Sequence, residues 1–113
     1  MLLATSDTLA GMRIVRTVGL ATGTVTRSPG IVKGMIGLIK NLLGGEVEEY
    51  TTTIAQAREQ ALDRLKAHAR SLGANAVVGV RFASAEVAAY AAEIVAYGTA
   101  VVVEDGPATD APR

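Results

Sequence analysis

The chain has no cysteine and no tryptophan, and only one phenylalanine, three tyrosines and three prolines among its 113 residues. Without cysteine there is no disulfide, no thiolate metal site and no cysteine nucleophile. At 4% aromatics there is no platform on which single-stranded nucleic acid would stack. An excess of one charge is missing too. The 11 basic residues balance 11 acidic ones, so electrostatics give no pull toward nucleic acid or an anionic membrane. Residues 1–7 lack the basic stretch and long apolar run of a signal peptide. The longest apolar segment, residues 31–43, is interrupted by Lys33 and Lys40 and falls short of the ~20 residues that a bilayer span needs. A soluble, cytoplasmic protein without a transmembrane segment is expected.

What is present is aliphatic. Half the residues are hydrophobic, mostly Ala, Val, Leu and Ile. A single domain of this size cannot hide so much apolar surface alone, which predicts self-association. The domain is expected over residues 1–104, with a disordered tail over 105–113, where two of the three prolines fall.

The hydrophobic pattern predicts an α+β fold. After a short leading segment (residues 2–5) and a turn at Gly11, residues 12–26 alternate as a long strand. Ile14, Val18 and Leu20 lie on one face and Val15, Ala21 and Val25 on the other, a pattern that predicts burial on both sides. Gly19 and Gly23 read as bulge or bend points. Ser28 and Pro29 start a helix over residues 31–43, apolar nearly all round, which Gly44-Gly45 stops. After an acidic link, Glu46-Val47-Glu48-Glu49, a second helix runs to Leu72, with a capping box at Thr53 and Gln56. Its inner stripe is Ile54, Ala57, Ala61, Leu65, Ala69 and Leu72, and Gly73 is its C-terminal cap. Residues 76–84 and 92–103 are strands. The alanine-rich piece between them is a hairpin loop or a continuation of both.

Gly44-Gly45, Ala57-Arg58-Glu59 with Ala61, the run Leu72-Gly73-Ala74-Asn75-Ala76-Val77-Val78-Gly79-Val80-Arg81-Phe82, and Ala96-Tyr97-Gly98-Thr99-Ala100-Val101 occur in this order. Together they resemble the YbjQ family of small prokaryotic proteins, over residues 3–103. The resemblance implies an α+β subunit that assembles into a ring-shaped homopentamer, sometimes stacked into a decamer. It also implies a heavy-metal-binding label, in a family whose biochemical function is not established.

The residues themselves offer little chemistry. Soft metals prefer thiolate and imidazole, but His68 is the one histidine, and neither Arg64 nor Leu72, four residues either side, is a ligand. It reads as an ordinary, partly exposed helix residue, and Met1, Met12 and Met35 as packing residues. Glu46, Glu48 and Glu49 read as a solvated acidic loop, or as a carboxylate ring for Ca²⁺ or Mg²⁺ if a ring assembly turns them inward. Arg81 and Glu93 interrupt apolar strands. A hairpin centred near Val87 would set them opposite one another as an ion pair, the alternative being a polar pocket near Tyr97. Gly44-Gly45 follows a helix and lacks the ending of a phosphate loop. No Gly-x-Ser-x-Gly elbow frames Ser71, Ser84 or His68. Mid-strand Gly79 predicts close approach by Ala57, Ala61 or Ala69 of the second helix.

No catalytic residue, metal ligand or cofactor is assigned. Two functions fit a chain that is not expected to be an enzyme. One is a homo-oligomeric module holding a cation or small ligand. The other is a structural protein docking through its apolar first helix on a partner or membrane surface.

Overall fold

A computed structural model of the protein describes residues 1–27, 46–88 and 91–107, with backbone alone at 27, 46–53, 86–88, 91 and 92. The elements are β1 (Leu2–Leu3), β2 (Met12–Arg27), α1 (Glu46–Ser71), β3 (Ala76–Ala88) and β4 (Ala91–Asp105). The strands form one sheet in the order β1-β3-β4-β2. β1 is parallel to β3, and the other two pairings are antiparallel. The α+β expectation holds. The helix expected over residues 31–43, with its Gly44-Gly45 stop, lies outside the described residues.

α1 packs its alanine stripe on one face of the sheet. Ala57, Ala61, Leu65 and Ala69 are buried against Ala21 and Val25 of β2, Ile94, Ala96 and Ala100 of β4, and Val77 and Val80 of β3. Spacing of four keeps them on one face, and their small size lets the helix axis come close. Gly23 completes that fit. A Cβ there would stand 2.1 Å from the Ala61 carbonyl oxygen and 2.4 Å from the Leu65 nitrogen. No bulge forms at Gly23, which pairs in regular register with Ala96. Gly19 does mark a bulge, at φ +148° beside a register shift between Thr17 and Gly19.

Both ends of the expected stripe differ. Ile54 and Leu72 are exposed. Ile54 lies before the first tight contact at Ala57, and Leu72 follows the last helical residue. α1 also begins at Glu46, before the capping box expected at Thr53 and Gln56. The acidic stretch expected as a link or loop is thus helical. The C-terminal cap is as expected. The Ala74 N–H donates to the Ala69 carbonyl at 3.1 Å and the Gly73 N–H to the Arg70 carbonyl at 3.0 Å, with Gly73 at φ +87°. These two bonds make a Schellman motif.

The other face of the sheet is covered at one end only. Leu9, Ala76, Val78, Val101 and Val103 form a second buried cluster, joined by Ala4, Met12 and Ile14. Further along β2 that face is open, and Leu20 is 65% exposed. Val15 and Leu20, one from each face expected to be buried, are both exposed, so β2 is not buried on both sides.

Gly79 departs from its expected role. It sits at φ +63° in a register shift between Val78 and Arg81. A Cβ there would meet only Asp7 Oδ1, at 3.6 Å. The left-handed backbone, not an approaching helix, requires glycine. The Gly79 N–H donates to the Ser6 carbonyl at 2.9 Å and the Val80 N–H to the Ala4 carbonyl at 3.0 Å, which prolongs the β1 pairing. Asn75 extends β3 the other way. Its side-chain amide donates to the Val103 carbonyl at 2.9 Å, and its Oδ1 accepts from the Val103 N–H at 2.8 Å. β4 likewise runs to Asp105, paired with Met12, so Asp105 is strand where the tail is expected to start; residues 108–113 lie outside the described residues.

Candidate functional site

The two edges of the sheet are finished differently. β2 is one edge. There α1 supplies two side chains to the outward backbone. The Thr22 N–H donates to His68 Nδ1 at 3.0 Å, and Arg64 Nη1 donates to the Thr24 carbonyl at 2.5 Å. Four residues of helix rise about 6 Å and two residues of strand about 6.6 Å, so an i, i+4 pair on α1 spans an i, i+2 pair on β2. Ladder groups that would template another strand are thereby occupied.

The opposite edge belongs to β3. β1 and the segment after it cover β3 only as far as Val80. From Phe82 to Ala88 the outer side of β3 has no strand partner among the described residues. The Val80 N–H points to that side, and strand alternation puts the amides of Phe82, Ser84 and Glu86 there too. The sequence Phe82-Ala83-Ser84-Ala85 carries no lysine and no proline to blunt the edge. Phe82 stands on it 45% exposed. On the face away from α1, Tyr97 is 37% exposed near Leu20.

The ion pair expected between Arg81 and Glu93 does not form. Arg81 is opposite Tyr97, and Glu93 is opposite Ala85. The hairpin closes at Ala88 and Ala91, so the alanine-rich piece continues both strands and the turn lies past Val87. Arg81 Nη1 instead donates to the Thr5 and Val80 carbonyls, each at 2.9 Å, which ties the leading segment to β3. A cross-strand ion pair does exist elsewhere, between Arg13 and Glu104.

No enzyme-like site is assembled among the described residues. No polar or charged residue among them is buried, so none is desolvated as catalytic acids and bases commonly are. The concavity that α1 offers is an open dish over Ala55, Gln56, Glu59 and Gln60. No group of three His, Cys, Asp or Glu side chains converges among the described residues. The side chains of Glu46, Glu48 and Glu49 lie outside them. His68 is partly exposed as expected, but sequence reasoning missed its bond to β2. The visible signal is an Arg64/His68 pair flanking the alanine stripe. No helix among the described residues is long and apolar enough to cross a membrane.

Comparison with known proteins gives matches over nearly the whole chain. Residues 1–104 match the family YbjQ_1, described as "Putative heavy-metal-binding". A UPF0145 protein of Thermococcus kodakarensis is 48% identical over 103 residues, 91% of this chain and 91% of the relative. One from Bradyrhizobium sp. is 47% identical over 104 residues, 92% of this chain and 94% of the relative. Among solved structures, a protein of unknown function from Pediococcus pentosaceus, placed in the DUF74 family, superposes with a TM-score of 0.64 at 17% identity. It covers 92% of this chain and 98% of its own. That likeness concerns the fold.

Proposed function

The chain belongs to the YbjQ family, and from that premise we propose that it is a non-catalytic subunit that assembles with copies of itself through the open edge of β3. The observation that carries this is the contrast between edges: Arg64 and His68 occupy outward backbone groups of Thr24 and Thr22 on β2, while β3 from Phe82 onward has no strand partner among the described residues, beside an exposed aromatic ring. Strand addition to such an edge gains main-chain hydrogen bonds and buries the neighbouring side chain. An edge that met its own twin would stop at a two-fold dimer. The ring of five that the family resemblance implies requires it to meet a different surface of the next copy.

Heavy-metal binding fits the chain poorly. It has no cysteine, and its one histidine has Nδ1 committed to the Thr22 amide. The helix around that histidine carries Arg64, Lys66 and Arg70 against the single anion Asp63. Soft cations want thiolate or a pair of imidazoles, and neither is on offer. Calorimetry with Zn²⁺ should give weak, non-stoichiometric heat; tight binding abolished by His68→Ala would reverse this reading.

Light scattering tests the assembly. The protein at micromolar concentration should show a multiple of the 11.6 kDa chain mass. Ser84→Pro removes an outward N–H without touching the ladder to β4, and should shift that mass to the monomer. A monomeric parent protein would overturn self-association. An oligomer that survives Ser84→Pro would overturn the edge as its route.

A further inference from the structure

We infer that His68 is a proton-sensitive latch on the β2 edge: neutral imidazole holds α1 on the strand, and protonation releases that hold. The argument starts from the direction of one hydrogen bond. A backbone N–H only donates, and the Thr22 N–H points at His68 Nδ1 from 3.0 Å. Nδ1 therefore carries a lone pair, and in the neutral ring the proton resides on Nε2. Imidazole takes up a proton within about pH 5–8. Adding one at Nδ1 sets an N–H against an N–H. The bond is lost, and the Thr22 amide is left facing a cation.

Among the described residues nothing around the ring offsets that loss. β2 between Leu20 and Thr26 has no ionisable side chain. On β3, residues 76–80 have none, and on β4 Tyr97 is the only one between Ile94 and Val103. The turns of α1 next to His68 carry Asp63, Arg64, Lys66 and Arg70, three cations to one anion. Arg64 on the same side of the helix is occupied by the Thr24 carbonyl. Arg16 also comes near the end of the helix, its Nη2 lying 3.9 Å from where a Cβ on Gly73 would stand. Among the described residues no carboxylate forms an ion pair with the ring. The inference does not depend on self-assembly, because both ends of the bond belong to one chain.

Two measurements on the intact protein decide it. The ¹⁵N shifts of the His68 ring at pH 7.5 should show Nδ1 unprotonated and Nε2 protonated; a proton on Nδ1 would overturn the latch. Amide exchange, expressed as protection factors so that intrinsic pH effects cancel, should show Thr22 losing at least tenfold protection relative to Val77 between pH 7.5 and 5.5. In His68→Asn, whose Oδ1 replaces Nδ1 as acceptor and does not titrate, that loss should be absent. Equal behaviour of Thr22 in the two proteins, whether both lose protection or neither does, would overturn the proposal. If His68→Asn does not fold, the ring shifts followed through the titration decide alone: the signals must move from the neutral Nε2–H form as Thr22 protection falls.

Discussion

β2 and β3 are both edge strands for part of their length, yet one is covered and the other bare. On β2 a helix lies close enough for Arg64 and His68 to reach the backbone of Thr24 and Thr22. On β3 the short β1 and the segment after it reach only to Val80, and Phe82 to Ala88 follow with no covering element among the described residues. The difference lies in what residue size permits. Covering an edge needs a helix that comes within side-chain reach of it, which here needs alanines on the helix and a glycine on the strand. Leaving an edge bare needs no special residue, only the absence of lysine and proline. Among the described residues the helix reaches one edge and leaves the other without a partner.

The comparison can be broken most severely at Gly23. Gly23→Val puts a side chain into the backbone of Ala61 and Leu65, and should cost about 3 kcal/mol or more, since backbone cannot move aside as a flexible side chain can. Urea denaturation measures it, and a midpoint equal to the parent's would mean that α1 does not sit where described. Gly79→Val comes next. The left-handed conformation at φ +63° should cost about 1–2 kcal/mol, with no loss to overpacking. Gly79→Asn should cost less than Gly79→Val, because asparagine tolerates that conformation; equal thermal midpoints for the two variants would count against backbone strain as the cause. Arg64→Ala uncovers one carbonyl of the β2 edge and should cost about 1 kcal/mol by chemical denaturation. If it also raises the association state, the cap is shown to guard the edge. Ser84→Pro is the smallest in stability, within about 0.5 kcal/mol, because its N–H faces outward from the β4 ladder. A loss of several kcal/mol in the monomer would mean that the Ser84 amide is already paired.

Sequence periodicity carries the long elements well. The stripe Ala57, Ala61, Leu65 and Ala69 and the alternation from Met12 onward are local patterns with one geometric solution. Register is another matter. Residues 83–92 contain no Gly, Pro, Asn or Asp, so nothing local places the turn, and a shift of two positions moves Arg81 from Glu93 to Tyr97. Glycines are equally mute. Gly19, Gly23 and Gly79 look alike in the chain, yet the first opens a bulge, the second admits a helix and the third adopts a left-handed backbone. Which task each performs depends on what lies across from it. The parallel pairing of β1 with β3 and the reach of His68 to Thr22 depend on partners 74 and 46 residues away, beyond any local pattern.

The Asn75 amide has a consequence for how the protein ages. It stands in for a peptide group, giving one hydrogen to the Val103 carbonyl and taking one from the Val103 N–H, in a position that solvent reaches. Spontaneous hydrolysis of that amide to a carboxylate would keep the acceptor and erase the donor, turning an oxygen toward the Val103 carbonyl. Loss of that amide would therefore fray the β3–β4 ladder at the end where α1 hands the chain to β3.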